Sequence, residues 1–168
     1  MNPEHSPVTD LFSSLPAAVD AIARGGVVIV VDAEDRENEG DFICAAEQAT
    51  PETVNFILRG RGQFCVPVLP DVCERLDLAP VVAANTSPLT TGFMTPIDHR
   101  SAKTGITARE RAHTVRAMVD PNSRAADFVR PGHVHPLLAK EGGVLRRAGH
   151  TEAAVDLARM AGLTPAGV

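Results

Sequence analysis

Val27-Val28-Ile29-Val30-Val31, then Asp32-Ala33-Glu34-Asp35-Arg36-Glu37-Asn38-Glu39-Gly40-Asp41, then Phe42-Ile43-Cys44-Ala45-Ala46: this stretch decides the fold. The first run fits a buried strand and the third a short second strand, while the ten residues between them hold six carboxylates and one arginine. Oxygen ligands packed this densely at the end of a strand suit a hard cation such as Mg²⁺. Charges so close repel one another unless a cation, a polar ligand or water spreads them out. The segment therefore reads either as a solvated acidic turn or as a cation and ligand site. It is not an EF-hand, because Glu37 stands where the turn glycine is required and no glutamate closes a twelve-residue loop.

Outward from this stretch, strands alternate with helices. Ser14 is placed to cap a helix over 15–24, with Leu15, Val19 and Ile22 on one face and Gly25-Gly26 as the stop. Thr50-Pro51 opens a second helix that ends at Gly60, with proline where its missing N–H matters least. Residues 64–69 form a strand that Pro67 pushes towards an edge or a bulge, and a short helix covers 71–77. Residues 79–92 are too poor in large apolar groups to pack and form a loop. Residues 93–97 make another strand, interrupted by Pro96, and Thr107-Ala108-Arg109-Glu110 is a capping box opening a helix to Val119. No repeat or linker divides the chain. The expectation is an α/β architecture, with a mixed sheet flanked by helices in one layered domain over 15–168 behind a polar tail at 1–14.

Composition narrows the function. With 168 residues, 44% of them hydrophobic, the chain can bury one good core. A net charge of −5 gives no electrostatic footprint for nucleic acid, and the absence of Trp and Tyr removes a stacking surface for bases. No apolar stretch approaches a membrane span and the first residues lack the parts of a signal peptide, so no membrane partner and a cytoplasmic location are expected. Cys44, Cys65 and Cys73 have no metal-binding spacing and read as buried reduced thiols.

A second chemical cluster, Arg146-Arg147-Ala148-Gly149-His150-Thr151, directly precedes a helix whose Ala154, Leu157, Ala158 and Ala161 share a face and whose stop is Gly162. Free N–H groups and the positive dipole end favour an anion at such a terminus, and two arginines, a threonine and a close-approach glycine suit a phosphate; a threonine cap with solvated arginines is the other reading. His150 either completes a cation site with a distant carboxylate or makes a structural hydrogen bond. His133 and His135 are not expected to bind one ion together, and His5, His99 and His113 have no supporting neighbours in the sequence.

Residues 32–41, Arg130-Pro131-Gly132-His133, Gly142-Gly143-Val144-Leu145 and Gly149-His150-Thr151-Glu152 together closely resemble the 3,4-dihydroxy-2-butanone 4-phosphate synthase family of riboflavin biosynthesis. The likeness runs in order from about residue 15 to the last residue. It implies that fold, a homodimer whose active sites draw on both subunits, and conversion of D-ribulose 5-phosphate into L-3,4-dihydroxy-2-butanone 4-phosphate and formate with Mg²⁺, or Mn²⁺ in its place. Carried over, it implies that Glu37 and His150 hold the metal and that Arg36, Glu37 and Asp41 contact the sugar. The run Arg147, Ala148, Gly149, His150 and Thr151 would grip the phosphate end. His133 would be an acid/base, with Glu39 and Asp41 as further carboxylates for proton transfer. The chain departs from the family at Arg109-Glu110, where small hydroxyl residues and an aspartate are usual. It also reaches Val168 where the family continues into a strand with an early glutamate needed for activity, so little turnover is expected from these 168 residues alone. Another metal-dependent sugar-phosphate lyase or isomerase, an inactive fragment, and the front half of a fusion with GTP cyclohydrolase II remain as alternatives.

Overall fold

The computed structural model describes residues 12–168. Most of the proposed tail, 1–14, lies outside the described residues, as does His5. Helix α1 (Leu15–Ala23) starts where the Ser14 hydroxyl accepts a hydrogen bond from Ala17 N–H, and it ends before Gly25, which has a positive φ. Strands β1 (Val28–Val31) and β2 (Gly40–Ile43) then pair antiparallel, with Val28 opposite Ile43 and Val31 opposite Gly40. The acidic decapeptide is the connection between them.

Helix α2 (Pro51–Leu58) begins at Thr50, whose hydroxyl accepts from Thr53 N–H. Strand β3 (Cys65–Val68) and helix α3 (Pro70–Arg75) follow. Residues 79–92 contain no helix or strand, as expected. Strand β4 (Ile97–His99) leads to α4 (Ala108–Val119), where Thr107 and Glu110 cap each other's backbone N–H groups in the anticipated box. The long strand β5 (Phe128–Leu138) was not foreseen; its Pro131, Gly132 and Pro136 are residues that strands disfavour. It is nevertheless the middle strand of a three-stranded sheet, parallel to β3 on one side and antiparallel to β4 on the other. Pro67 thus lies on an edge strand of that sheet. Helix α5 (His150–Met160) closes the order, stopped by Gly162 at φ +74°.

Residues 166–168 tie the two sheets together. Cys44 and Val168 exchange both backbone hydrogen bonds, Ala46 N–H donates to Ala166 O, and Gly167 N–H donates to Pro67 O. One core lies between α2, α3, α4 and the larger sheet around Val54, Val66, Leu76, Ile97, Val115, Met118 and Val134. A smaller one joins α1 and α5 to β1 and β2 through Ile22, Ile43, Ala154 and Leu157. Cys44 and Cys73 are buried, Cys65 is half-buried, and all three are free thiols. Burial pushes Cys44 and Cys65 up to about 12 and Cys73 up to about 11. Among the described residues no helix is long and apolar enough to cross a membrane.

The register between β4 and β5 has a consequence for chemistry. Ile97 pairs with Val134 but the next residue, Asp98, pairs with Val129, so Arg130–His133 bulge out of the ladder. Gly132 is required there, since a Cβ would lie 2.0 Å from the Ile97 carbonyl carbon.

Candidate active site

Asp32 is the residue that shapes the acidic loop. It sits immediately after β1, where its carboxylate reaches back over the turn: Oδ1 accepts from Glu39 N–H at 3.0 Å, while Oδ2 accepts from Glu37 N–H at 3.1 Å and from Arg36 Nη1 at 2.6 Å. Burial alone would raise its pKa, but the bonds from Glu39 N–H, Arg36 and Glu37 N–H outweigh it and hold the carboxyl at about 2. The repulsion among the six carboxylates is thus partly answered inside the loop, by one arginine and two amides.

Glu37 stands at the mouth of this arrangement. Its Oε1 lies 3.1 Å from Arg36 Nη2, and its Oε2 lies 3.6 Å from Nδ1 of His150. Asp41 Oδ2 approaches the same nitrogen to 3.7 Å. These separations exceed a hydrogen bond and leave room for something between the groups. His150 is 8% exposed and opens α5, and its Nε2 is buried with no hydrogen-bond partner among the described residues. Asp32, Glu37 and His150 each offer a ligand atom within 4.8 Å of the others, a mixed carboxylate–imidazole set that can hold a divalent cation. The sequence reading named Glu37 and His150 but not Asp32. In the sequence it is one acid among six, and only its place directly after the strand distinguishes it.

The start of α5 adds an anion-binding feature. Gly149 is the cap residue and carries no side-chain cap, so the first N–H groups of the helix are not satisfied by a hydroxyl or carboxylate. Two guanidinium groups crowd this glycine: a Cβ on residue 149 would lie 2.3 Å from Arg147 Nη1 and 2.9 Å from Arg36 Nη2. Arg147 is aimed by other contacts. Its Nη1 donates to the buried Glu152 at 2.7 Å, and its Nη2 donates to Thr91 Oγ1 and Leu89 O at 3.2 Å, pinning the 79–92 loop to the helix start. Thr151 is buried one residue into the helix and is not its cap. A cavity of about 350 Å³ opens beside these groups, lined by Glu39, Asp41, Cys65, Phe93, His150 and Thr151 among others.

His133 belongs to neither the cation cluster nor the lining of that cavity. The β5 bulge delivers it to Asp98 instead: Asp98 Oδ1 accepts from His133 N–H at 2.9 Å, and the ring Nδ1 lies 2.7 Å from Oδ2. A carboxylate on Nδ1 makes Nε2 the basic nitrogen of the ring. Asp98 is 5% exposed, and Gly105, at φ +79°, leaves it space, since a Cβ there would lie 2.0 Å from Oδ2. Sequence reasoning missed Asp98, and nothing local marked it, since it sits between Ile97 and His99 in a three-residue strand.

The sequence profile of the 3,4-dihydroxy-2-butanone 4-phosphate synthase family matches residues 16–168. The riboflavin biosynthesis protein RibBA of Bacillus cereus (strain AH187) is 58% identical over 159 residues, and that of Bacillus subtilis (strain 168) is 55% identical. The alignment takes in 94% of this chain and 40% of each relative, so the chain spans about two fifths of the length of these curated relatives. Among solved structures, a 3,4-dihydroxy-2-butanone 4-phosphate synthase in complex with two magnesium ions superposes with a TM-score of 0.88 at 40% identity, over 93% of this chain and 74% of that one. RibBX, a two-domain synthase from A. baumannii, gives a TM-score of 0.88 at 44% identity over 92% and 46% of the two chains.

Proposed function

The chain belongs to the 3,4-dihydroxy-2-butanone 4-phosphate synthase family, and on that premise we propose that the protein carrying it converts D-ribulose 5-phosphate into L-3,4-dihydroxy-2-butanone 4-phosphate and formate in riboflavin biosynthesis, with residues 15–168 as one synthase domain. The observation that carries this reading is a juxtaposition. His150 faces the carboxylates of Glu37 and Asp41 at the same helix terminus where Arg36 and Arg147 close on Gly149. One end of that site suits a phosphate and the other a cation with a polyhydroxylated chain between them.

In this reading the N–H groups from Gly149 to Thr151, flanked by Arg147 and Arg36, hold the phosphate, with the small, exposed Ala148 beside them. Glu37 and His150 hold the cation, while Asp32, already committed to the loop, fixes Glu37 and Arg36 in place. Mg²⁺ is the cation we propose, with Mn²⁺ able to serve through the same oxygen-rich donors. Bound there, it would polarise the sugar oxygens and acidify the neighbouring C–H. Asp41 and Glu39, both on the cavity wall, are placed to move protons, and His133 with Asp98 behind it is a second acid/base.

Since His133 lies outside this cavity and cluster, we propose that it serves the site of a second copy in a homodimer. The test is subunit mixing. Glu37→Gln and His133→Ala proteins, each silent alone, should regain about a quarter of the parental formate release when refolded together, because half the dimers are mixed and each mixed dimer has one intact site of two. No recovery would place both residues in one subunit's site.

A further inference from the structure

His99 ends β4 and His113 lies in the second turn of α4, fourteen positions apart, and nothing proposed above uses either one. The structure brings His99 Nδ1 to 3.0 Å from His113 Nε2, with the Ser101 hydroxyl 2.8 Å from the same Nδ1. We propose that these two imidazoles, with the Ser101 oxygen, form a second cation site that takes borderline transition-metal ions such as Ni²⁺ or Cu²⁺ in preference to Mg²⁺. The inference does not rest on the proposed reaction.

The site is prearranged on one side and open on the other. His99 is half-buried: its N–H donates to the Thr114 hydroxyl at 3.0 Å, and its ring stands edge-on to Phe128 with centroids 5.7 Å apart. Ser101 N–H donates to Nδ1 at 3.3 Å, which makes Nδ1 the unprotonated nitrogen, its one lone pair shared between that N–H and His113. His113 is exposed, so an ion can reach the pair from solvent. Burial and the neighbouring His113 both lower the pKa of His99, keeping it in the neutral form that a metal requires. Of the charged neighbours, Arg100 works against a cation but turns its guanidinium to Ala126 O, and Asp127 works for one.

Donor type sets the ion: two imidazole nitrogens favour borderline transition metals over a hard cation. The 3.0 Å between the rings is a hydrogen bond, and an ion would take its place after a small rotation of the exposed His113 ring. Without an ion, His113 Nε2–H donates to His99 Nδ1. With one, His113 shifts its proton to Nδ1 and offers Nε2, so no proton is lost from the pair. Mg²⁺ demands oxygen ligands and competes poorly here.

The experiment is calorimetric titration of NiCl₂ into the untagged protein with Mg²⁺ in excess to fill the acidic site, alongside the electron paramagnetic resonance spectrum of added Cu²⁺. One Ni²⁺ per chain should bind, and the Cu²⁺ spectrum should show splitting from two nitrogens. His113→Ala, an exposed substitution compatible with folding, should weaken Ni²⁺ binding about tenfold or more, while Ser101→Ala weakens it less. A His113→Ala isotherm that superimposes on the parental one, or Ni²⁺ binding abolished by His150→Ala and by nothing at residues 99 and 113, would overturn the proposal. So would a parental protein that takes up no Ni²⁺.

Discussion

Arg147→Ala tests the link between the phosphate end of the site and the fold. The substitution removes the partner of Glu152, a carboxylate with 1% of its surface exposed whose other hydrogen bond comes from Lys140 N–H at 3.0 Å. Arg147 is itself only 16% exposed, so the pair is sheltered and little of its attraction is screened. Stripping one partner from a buried pair leaves an uncompensated charge and costs about 3–5 kcal/mol, more than a charge-assisted hydrogen bond alone. In a chain of this size that is a fall in Tm of about 6–20 °C. Adding Glu152→Gln should recover at least about 1 kcal/mol, because the buried charge disappears while the amide still accepts from Lys140 N–H. Urea unfolding followed by circular dichroism at neutral pH reads all four proteins of the cycle. A loss below about 1 kcal/mol in Arg147→Ala, or strictly additive effects in the double variant, would refute the buried-pair account.

Acid should expose the two carboxylates that organise loops. Asp32 is lowered by its loop hydrogen bonds against an opposing burial effect, and Glu110 is lowered chiefly by Lys103 N–H. Both titrate at about 2 in the folded chain, against ordinary values of 3.8 and 4.5. Each therefore contributes stability that is present above its ordinary pKa and lost as pH falls towards 2, since the unfolded chain takes up the proton first. Asp32→Asn and Glu110→Gln should each flatten the acid limb of unfolding free energy against pH by up to one proton, and unchanged limbs would contradict the hydrogen-bond assignments. Gly149→Ala should lower Tm by less than Arg147→Ala does, because its methyl pushes the Arg147 and Arg36 guanidiniums off their carboxylate partners without removing them, and should raise the KM for ribulose 5-phosphate about tenfold or more. An unchanged KM would remove Gly149 from the phosphate site.

Local signals in the sequence were read well where a single residue enforces a conformation. Ser14, Thr50 and the Thr107–Glu110 box mark helix starts, and Gly25 and Gly162 take the positive φ that ends them. Strand β5 was missed for the opposite reason. Its two prolines and glycine argue locally against a strand, but pairing on both sides and the burial of Val134 override that preference, and the bulge absorbs Pro131-Gly132. The same bulge made the His133–Asp98 contact invisible, since it depends on a register shift between residues 35 positions apart. Within the candidate site, Glu37, Asp41, Arg36, Arg147 and His150 were named from residue chemistry and resemblance, and the fold brings them to one helix terminus. Whether Arg147 would face the ligand or the protein could not be read, because its partner Glu152 looks like an ordinary first-turn acid. His99 and His113 were given no neighbours, yet they are each other's neighbour.

Formate release from D-ribulose 5-phosphate by the protein that carries this chain is the measurement closest to the central claim. The account predicts one formate per sugar phosphate consumed, dependence on Mg²⁺ that a chelator abolishes, and loss of both formate and Mg²⁺ binding in Glu37→Gln and His150→Ala proteins that remain folded. Consumption of the sugar phosphate without formate, or formate release indifferent to Glu37 and His150 at saturating Mg²⁺, would contradict it.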